Sequence, residues 1–364
     1  MSEWKEYKLG EIINLKRGYD LPNAERKQGS IPIISSSGIT DYHNAAMKKA
    51  PGVITGRYGT IGQVFFTKED YWPLNTTLYV QDFRGNDPSF IYYLLTNFDF
   101  GKYSDKSAVP GINRNDVHEE IVIVPEVKEQ IKIASILSSL DDKIGLLHLQ
   151  NKTLEQLAET LFRQWFVEEA EGDTIKLGAA IKTTSGGTPS RAKMEYYTNG
   201  TIKWVKSKEL QGSFILSTEE MVTDEAVKNS SAKLVPANTT LIAMYGATVG
   251  EFGILAEPAT CNQAVCALIP NEHYPYTFLF IFTKLNKTNL INMSGGSAQQ
   301  NISQELIREL EFPTAKKRIK EYHAEVEPMF KKIKSNIIQI RTLTQLRDNL
   351  LPKLMSGEVR VKMN

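Results

Sequence analysis

The residues with the most evident chemistry cluster around glycine turns. Lys16 and Arg17 stand directly before Gly18, and Lys48 and Lys49 precede the next turn. Arg57 and Tyr58 lie within Gly56-Arg57-Tyr58-Gly59-Thr60-Ile61-Gly62. Asn113 and Arg114 follow Gly111-Ile112. In the second half, residues 176–208 hold seven basic side chains, Arg191, Lys206 and Lys208 among them, against one acid, Glu195. Tyr196, Tyr197 and Trp204 are interleaved with them. Tyr245 precedes Gly246, and Gln299 and Gln300 close a glycine- and serine-rich loop. These residue types suit contact with a nucleic-acid duplex. Lysine and arginine pair with phosphates, arginine donates two hydrogen bonds to guanine O6/N7, and asparagine or glutamine bonds adenine N6/N7. Most basic runs are only solvated faces, so charge by itself does not establish the reading.

Catalytic chemistry is harder to find. Gly56, Gly59 and Gly62 are not followed by Lys-Ser/Thr at P-loop spacing, and no dinucleotide-binding glycine pattern occurs. A tight turn is the better reading. Cys261 and Cys266 are five positions apart, and His43, His118, His148, His273 and His323 are scattered. A zinc site is therefore not expected. There is no nucleophile elbow, no His-Glu-x-x-His pair and no nuclease carboxylate cluster.

The elements that position these residues come twice. Tyr7-Lys8-Leu9-Gly10 resembles Ile175-Lys176-Leu177-Gly178, and Arg17-Gly18 answers to Ser185-Gly186-Gly187. Gly59-Thr60-Ile61-Gly62 aligns with Ala247-Thr248-Val249-Gly250, and Asn75-Thr76-Thr77-Leu78 with Asn262-Gln263-Ala264-Val265. Ser107-Ala108 ahead of Gly111-Ile112 answers to Ser297-Ala298 ahead of Asn301-Ile302. Residues 121–125 match 310–313. Six matches in one order imply duplication. The organisation expected is an N-terminal domain over residues 1–125, a helix over 126–170, a second domain over 171–315 and a second helix over 316–364. Each domain reads as mixed α/β. Strands are expected at 31–34, 53–55, 64–67, 78–80 and 121–124, with a helix at 90–97. Their counterparts are 202–205, 240–244, 253–255, 264–269 and a helix near 275–285.

Each helical segment opens just after a proline, Pro125 or Pro313, where the missing donor costs nothing. The first carries a heptad seam: Ile133, Leu137, Leu140, Ile144, Leu147, Asn151, Leu154, Ala158, Leu161 and Trp165. That is coiled-coil spacing. Asn151 either fixes register as a buried amide or sits at a solvated edge. The second seam is less regular: Ile319, Tyr322, Val326, Met329, Ile333, Asn336, Ile340, Leu343, Arg347, Leu350 and Leu354. Pro328 is expected to kink or split it. Residues 126–171 hold nine acidic and five basic side chains, whereas 316–364 hold five and twelve. Opposite signs favour pairing of the two helices with each other. An antiparallel pair would place the domains at opposite ends of a rod, related by a pseudo-twofold axis.

The chain has 364 residues, 41% hydrophobic and 23% charged, with net charge +1. This composition excludes a collagen, a wholly disordered chain and a membrane bundle. The near-zero charge excludes polyanion binding by bulk charge. The longest solidly apolar stretch, residues 278–282, is far too short to cross a bilayer. Met1-Ser2-Glu3-Trp4-Lys5 has no secretory core, and two cysteines in this length suit a reducing cytoplasm.

The chain resembles the specificity subunits of type I restriction-modification systems. The resemblance rests on Lys8-Leu9-Gly10-Glu11-Ile12-Ile13, the 56–62 glycine motif, Glu129-Gln130-Ile131-Lys132-Ile133-Ala134 and Leu161-Phe162-Arg163-Gln164-Trp165-Phe166. It also rests on Ser185-Gly186-Gly187-Thr188-Pro189-Ser190, Ile202-Lys203-Trp204-Val205 and Leu350-Leu351-Pro352-Lys353-Leu354-Met355-Ser356-Gly357. It covers the whole chain and lies in the order of these stretches more than in any one of them. The resemblance implies two target-recognition domains, each reading one half of a split site in double-stranded DNA. It further implies an antiparallel coiled coil that docks two modification subunits, to which restriction subunits can be added. S-adenosylmethionine is then expected on the modification subunits, with no cofactor, metal or catalytic residue on this chain. A DNA-binding module acting without a methyltransferase and a purely structural adaptor are the alternatives.

Overall fold

The computed structural model describes residues 3–103, 111–170, 172–294 and 301–362. The chain divides into two compact units, one of Met1–Gly145 with Thr342–Asn364 and the other of Leu146–Arg341. Both long helices therefore contribute to both units.

The first long helix is Val127–Arg163 and passes into a π-helical turn, Gln164–Glu168. The second is Lys316–Met355. Every position of the two seams is buried or half-buried, with Leu147 only 2% exposed. Pairing is antiparallel within each unit. In the first, Glu129 meets Arg360 at 2.9 Å and Asp141 meets Arg347 at 2.8 Å. In the second, the Tyr322 hydroxyl donates to the Ala158 carbonyl at 2.9 Å, and Arg318 pairs with Glu169 at 2.5 Å. The opposite charges of the two segments thus meet as ion pairs beside the apolar seam. Asn151 is a register residue: its Oδ1 accepts from Asn336 Nδ2 at 2.8 Å, and the same Nδ2 donates to Gln150 Oε1.

Of the two expected outcomes at Pro328, a kink or a split, the split does not occur: the second helix runs unbroken through it. It lies on the exposed face, and so does Ala324, whose carbonyl loses the amide that proline lacks. Water replaces that bond on an open face, so the helix continues.

The two units repeat one plan. In the first, a four-stranded sheet runs in the order Asn14–Arg17, Thr77–Asp82, Gly52–Gly56, Val64–Thr67. In the second the order is Lys182–Ser185, Val265–Ile269, Thr240–Ala243, Phe252–Leu255, followed by a fifth strand, Phe214–Ile215. A three-stranded sheet accompanies each. Gly38–His43, Ile31–Ser35 and Trp72–Pro73 correspond to Met221–Val222, Ile202–Val205 and Thr260–Cys261. An antiparallel pair closes each unit, Lys5–Lys8 with Ile121–Val124 and Thr174–Lys176 with Glu311–Pro313. The helices packed on the larger sheets are Pro88–Thr96 and Tyr276–Met293. The first begins where Asp87 caps the Phe90 amide at 2.8 Å and Pro88 fits the first turn.

Each core draws on the long helices. Ile133, Ala134, Leu137, Leu354 and Met355 are buried with the sheet residues of the first unit. Ala158, Phe162, Ile319, Tyr322, Val326 and Phe330 are buried with those of the second. No helix among the described residues is long and apolar enough to cross a membrane. Cys261 and Cys266 are buried strand residues whose thiols burial pushes up to about 12.

Asn336 is fully buried. Asn336→Asp turns a carboxylate towards the side-chain oxygens of Gln150 and Asn151 and should cost about 3 kcal/mol or more. Asn336→Leu should change stability by about 1 kcal/mol or less, because the exposed Gln150 turns to water. Thermal melting of both variants checks the pair.

Candidate nucleic-acid interface

Three backbone segments of the first unit are laced together. The strand Asn14–Arg17 ends at Gly18, whose amide donates to Thr77 O at 3.0 Å, and the Tyr19 amide donates to Pro73 O at 2.8 Å. The Arg57 and Tyr58 amides both donate to Thr76 O, at 2.9 and 3.2 Å. A Cβ at Gly18 would stand 2.1 Å from Leu74 O, so only glycine allows this crossing. Tyr58 then bridges to Gly111, and the Ile112 amide donates to Arg57 O at 3.1 Å. Lys16, Arg17, Arg57 and Tyr58 are in this way brought to one place.

Their electrostatics differ. The Arg57 guanidinium lies over the Tyr58 ring at 4.4 Å and forms no ion pair among the described residues. Arg17 makes only a 3.6 Å contact with Asp20, both well exposed. Lys48 sits over the rings of Tyr19 and Tyr79, 5.4 and 5.2 Å from their centroids. The two hydroxyls are 2.9 Å apart. The Tyr79 hydroxyl and the Lys48 cation hold the Tyr19 phenol below its usual value, whereas burial pushes Tyr79 up. Tyr19 and Tyr79 were not legible as partners, since only the fold joins residues this far apart in sequence. Asn113 and Arg114 are partly committed to the fold. Asn113 Oδ1 caps a short helix by accepting from the Asn115 amide at 3.1 Å, and Arg114 donates to Leu15 O at 3.4 Å.

The second unit repeats the lacing. Gly186 donates to Val265 O at 3.3 Å, Gly187 to Cys261 O at 2.9 Å and Met244 to Ala264 O at 2.8 Å. Tyr245 bridges to Asn301, and the Ile302 amide donates to Met244 O at 2.9 Å. A Cβ at Gly186 would stand 2.0 Å from Cys261 O. These bonds correct two alignments read from sequence. Leu74 corresponds to Asn262 and Asn75 to Gln263, one residue off the expected match, because Leu74 and Asn262 occupy the same hydrogen-bonded corner. Gly59 corresponds to Gly246, at φ 75° and 70°, and Gly62 to Gly250, at 81° and 79°. The second turn therefore carries one extra residue.

Side chains on the second frame are arranged differently. Arg191 forks onto Glu220 with bonds of 3.1 and 2.7 Å, and stacks on Tyr197 and Trp204. Lys206 contacts Glu219 and Glu220 at 3.4 and 3.2 Å, and Lys208 pairs with Glu219 at 2.7 Å. Much of the basic run is thus neutralised by acids that follow it. Lys233, which sequence reading missed, places its ammonium 3.1 Å from Thr184, the position equivalent to Lys16. The Asn262 Oδ1 is buried with no hydrogen-bond partner among the described residues. Tyr245 is exposed, and Gln299 and Gln300 lie outside the described residues.

A doubled α/β frame beside paired helices presents cations, amides and aromatic hydroxyls. The profile of the type I restriction modification DNA specificity domain matches residues 1–156 and 172–342. The chain belongs to that family, the specificity subunits of type I restriction-modification systems, whose role is DNA sequence recognition. It is 25% identical to the type I restriction enzyme HindI specificity subunit of Haemophilus influenzae, over 99% of this chain and all of that one. It is also 25% identical to the MjaIX specificity subunit of Methanocaldococcus jannaschii, over 99% and 94%. The crystal structure of a type I restriction-modification S subunit from M. genitalium shares the fold, with TM-score 0.70, 16% identity and coverage of 100% and 97%.

Gly18→Ala and Gly186→Ala each force a methyl group into a carbonyl and should destabilise the chain by about 2 kcal/mol or more. Gly85→Ala, with nothing within 4 Å of its Cβ, carries only the strain of its positive φ and should cost less. Melting temperatures of the three variants give the comparison.

Proposed function

We propose that each unit reads one part of a bipartite, asymmetric site in double-stranded DNA. The paired helices then set the spacing between the parts and carry two modification subunits. The observation behind this reading is one backbone frame built twice with unlike side chains. Arg57 stands where the second unit has the buried Met244, Lys16 where it has Thr184, and Tyr19 where it has Gly187. Identical frames with different donors and acceptors suit two different half-sites. The DNA contacts assigned are Lys16, Arg17, Lys48, Arg57 and Tyr58 in the first unit and Tyr245, Lys233 and the 262–263 corner in the second. Arg191, Lys206 and Lys208 join them where DNA phosphates or bases displace Glu219 and Glu220.

Partner docking fits apolar residues left exposed on the long helices, Leu146, Leu149 and Leu157 on the first and Leu346 on the second. In this reading S-adenosylmethionine and the methylation chemistry belong to the modification subunits, restriction subunits can be added, and this chain has no catalysis of its own. The assembly works in the cytoplasm.

Two measurements test it. Arg57→Ala should weaken duplex binding by the assembled complex. A phosphate contact lowers the salt slope by about 0.9, and a base contact costs about 1–3 kcal/mol on the cognate sequence alone. Removing one heptad from both helices shortens them by about 10 Å, roughly three base pairs. Mapping of methylated bases should then find a shorter spacer, and an unchanged spacer would refute the ruler.

A further inference from the structure

The two units differ at one sheet edge. In the second, Phe252–Leu255 does not end the sheet, because Phe214–Ile215 adds to it in parallel, Phe214 beside Ile254 and Ile215 beside Leu255. The Ile254 amide donates to Ser213 O at 3.0 Å, the Ala256 amide to Ile215 O at 3.3 Å, and Gly212 to Phe252 O at 2.7 Å. Phe214 also packs against Phe330 of the second long helix, at 6.5 Å between centroids.

In the first unit the equivalent strand, Val64–Thr67, is the sheet's edge. Gly56 donates to Gln63 O at 3.1 Å, as Ala243 donates to Glu251 O at 2.8 Å. The alternation of an antiparallel ladder then turns the Phe66 and Lys68 amides and the Val64 carbonyl outward. These are the groups that Ile254, Ala256 and Phe252 use to hold the fifth strand. Among the described residues no strand pairs with them. A groove of about 800 Å³ runs along this edge, lined by Ile39, Tyr42, Phe66, Tyr92, Asp141 and Asp142 among others. Ile39 is 57% and Tyr42 50% exposed. The rim is acidic, with Glu69 and Asp142 exposed and Lys68 reaching Asp142 only at 3.5 Å.

We infer that this edge binds an extended peptide segment of a partner protein. The segment adds as a parallel fifth strand, seats an apolar side chain in the groove with its apolar neighbour on the opposite face of the sheet, and turns a lysine or arginine towards Asp142. An open edge with a groove for alternate side chains is how strand addition achieves both affinity and selectivity. The second unit shows the occupant's form in its own Ser213-Phe214-Ile215. A second copy of the chain is a poor donor, since that segment is already built into its own sheet. DNA is disfavoured by the carboxylates of the rim.

The test uses the full chain and a fluorescent peptide with the sequence of residues 212–217 followed by two lysines, the end that a parallel register sets beside Lys68 and Asp142. Anisotropy titration should show saturable binding. Lys68→Pro, which deletes an outward amide, should weaken it about tenfold or more. Lys68→Ala keeps that amide and should change affinity about fivefold at most. A peptide carrying Phe214→Asp should not bind. Absence of saturation up to about 1 mM peptide, or equal binding by Lys68→Pro, overturns the inference. Competition by duplex DNA would assign the edge to nucleic acid, and self-association lost in Lys68→Pro would assign it to a second copy; either result overturns it. Should Lys68→Pro fail to fold, Ile39→Asp at its exposed position must abolish binding, and retained binding overturns the inference. Cognate-duplex binding, measured in parallel, reports separately on DNA recognition.

Discussion

The burial of the end of the second long helix in the core of the first unit is the contact on which the rest depends. Leu354 and Met355 are 2% and 5% exposed and pack with Ile133, Ala134 and Leu137. Just beyond them Arg360 lies over Trp4 and pairs with Glu129, a carboxylate only 1% exposed. The first unit is thus made from both ends of the chain, with the whole second unit inserted between. Closing so long a loop is a modest penalty, because each doubling of length adds only about 0.6 kcal/mol. Burying a leucine or methionine side chain contributes about 1.5–3 kcal/mol. A few such residues outweigh the loop, and Glu129 left without Arg360 would be a buried unpaired charge. One consequence is that the first unit completes its core only after the last residues are in place.

Duplication has preserved what the main chain does and released what the side chains do. The lacing of Gly18, the 74–77 turn and Arg57 uses amides and carbonyls, so any side chain that fits preserves it. Gly18 and Gly186 are fixed, by carbonyls about 2 Å from where a Cβ would stand. The caps follow the same logic: Asn113 and Ser303 occupy the same position and each receives an amide of its own short helix, though one is an amide side chain and the other a hydroxyl. Ion pairing has diverged further. Arg57 rests on a tyrosine with no acid paired to it among the described residues, whereas Arg191 is stacked and also gripped by Glu220. A guanidinium already forked onto a carboxylate must exchange that partner before it meets any other acceptor.

The helices, the seam and the repeated α/β plan were legible because they are written in periodicity. A heptad run of Ile133, Leu137, Leu140, Ile144 and Leu147 has few other readings, and an ordered set of glycine turns survives divergence. What could not be read depends on contacts distant in sequence. Glu219 and Glu220 follow the basic run by a dozen residues, and only the hairpin brings them onto Lys206, Lys208 and Arg191. The one-residue shift at Leu74 and Asn262 escaped notice because Asn75 and Asn262 share an identity, whereas backbone bonds decide equivalence. Pro328 read as a break misled for a related reason. Sequence shows that an amide is missing, but not that the carbonyl left without it, on Ala324, faces water.

The seam also has to choose one register, and apolar side chains alone choose poorly. Leucine and isoleucine pack tolerably after a slip of one heptad, at a cost spread over many contacts. Asn336 does not slip so easily. Its amide is fully buried, and its Nδ2 finds both Gln150 and Asn151 only in the observed alignment. Displaced by a heptad, it would face an aliphatic residue and lose about 1–3 kcal/mol as an unsatisfied donor. In the first unit Arg347, itself on a seam position, would leave Asp141, which is held at 2.8 Å and also receives the Tyr93 hydroxyl at 2.7 Å. Polar residues at seam positions, which weaken the heptad pattern when read from sequence, therefore make a single alignment the most stable.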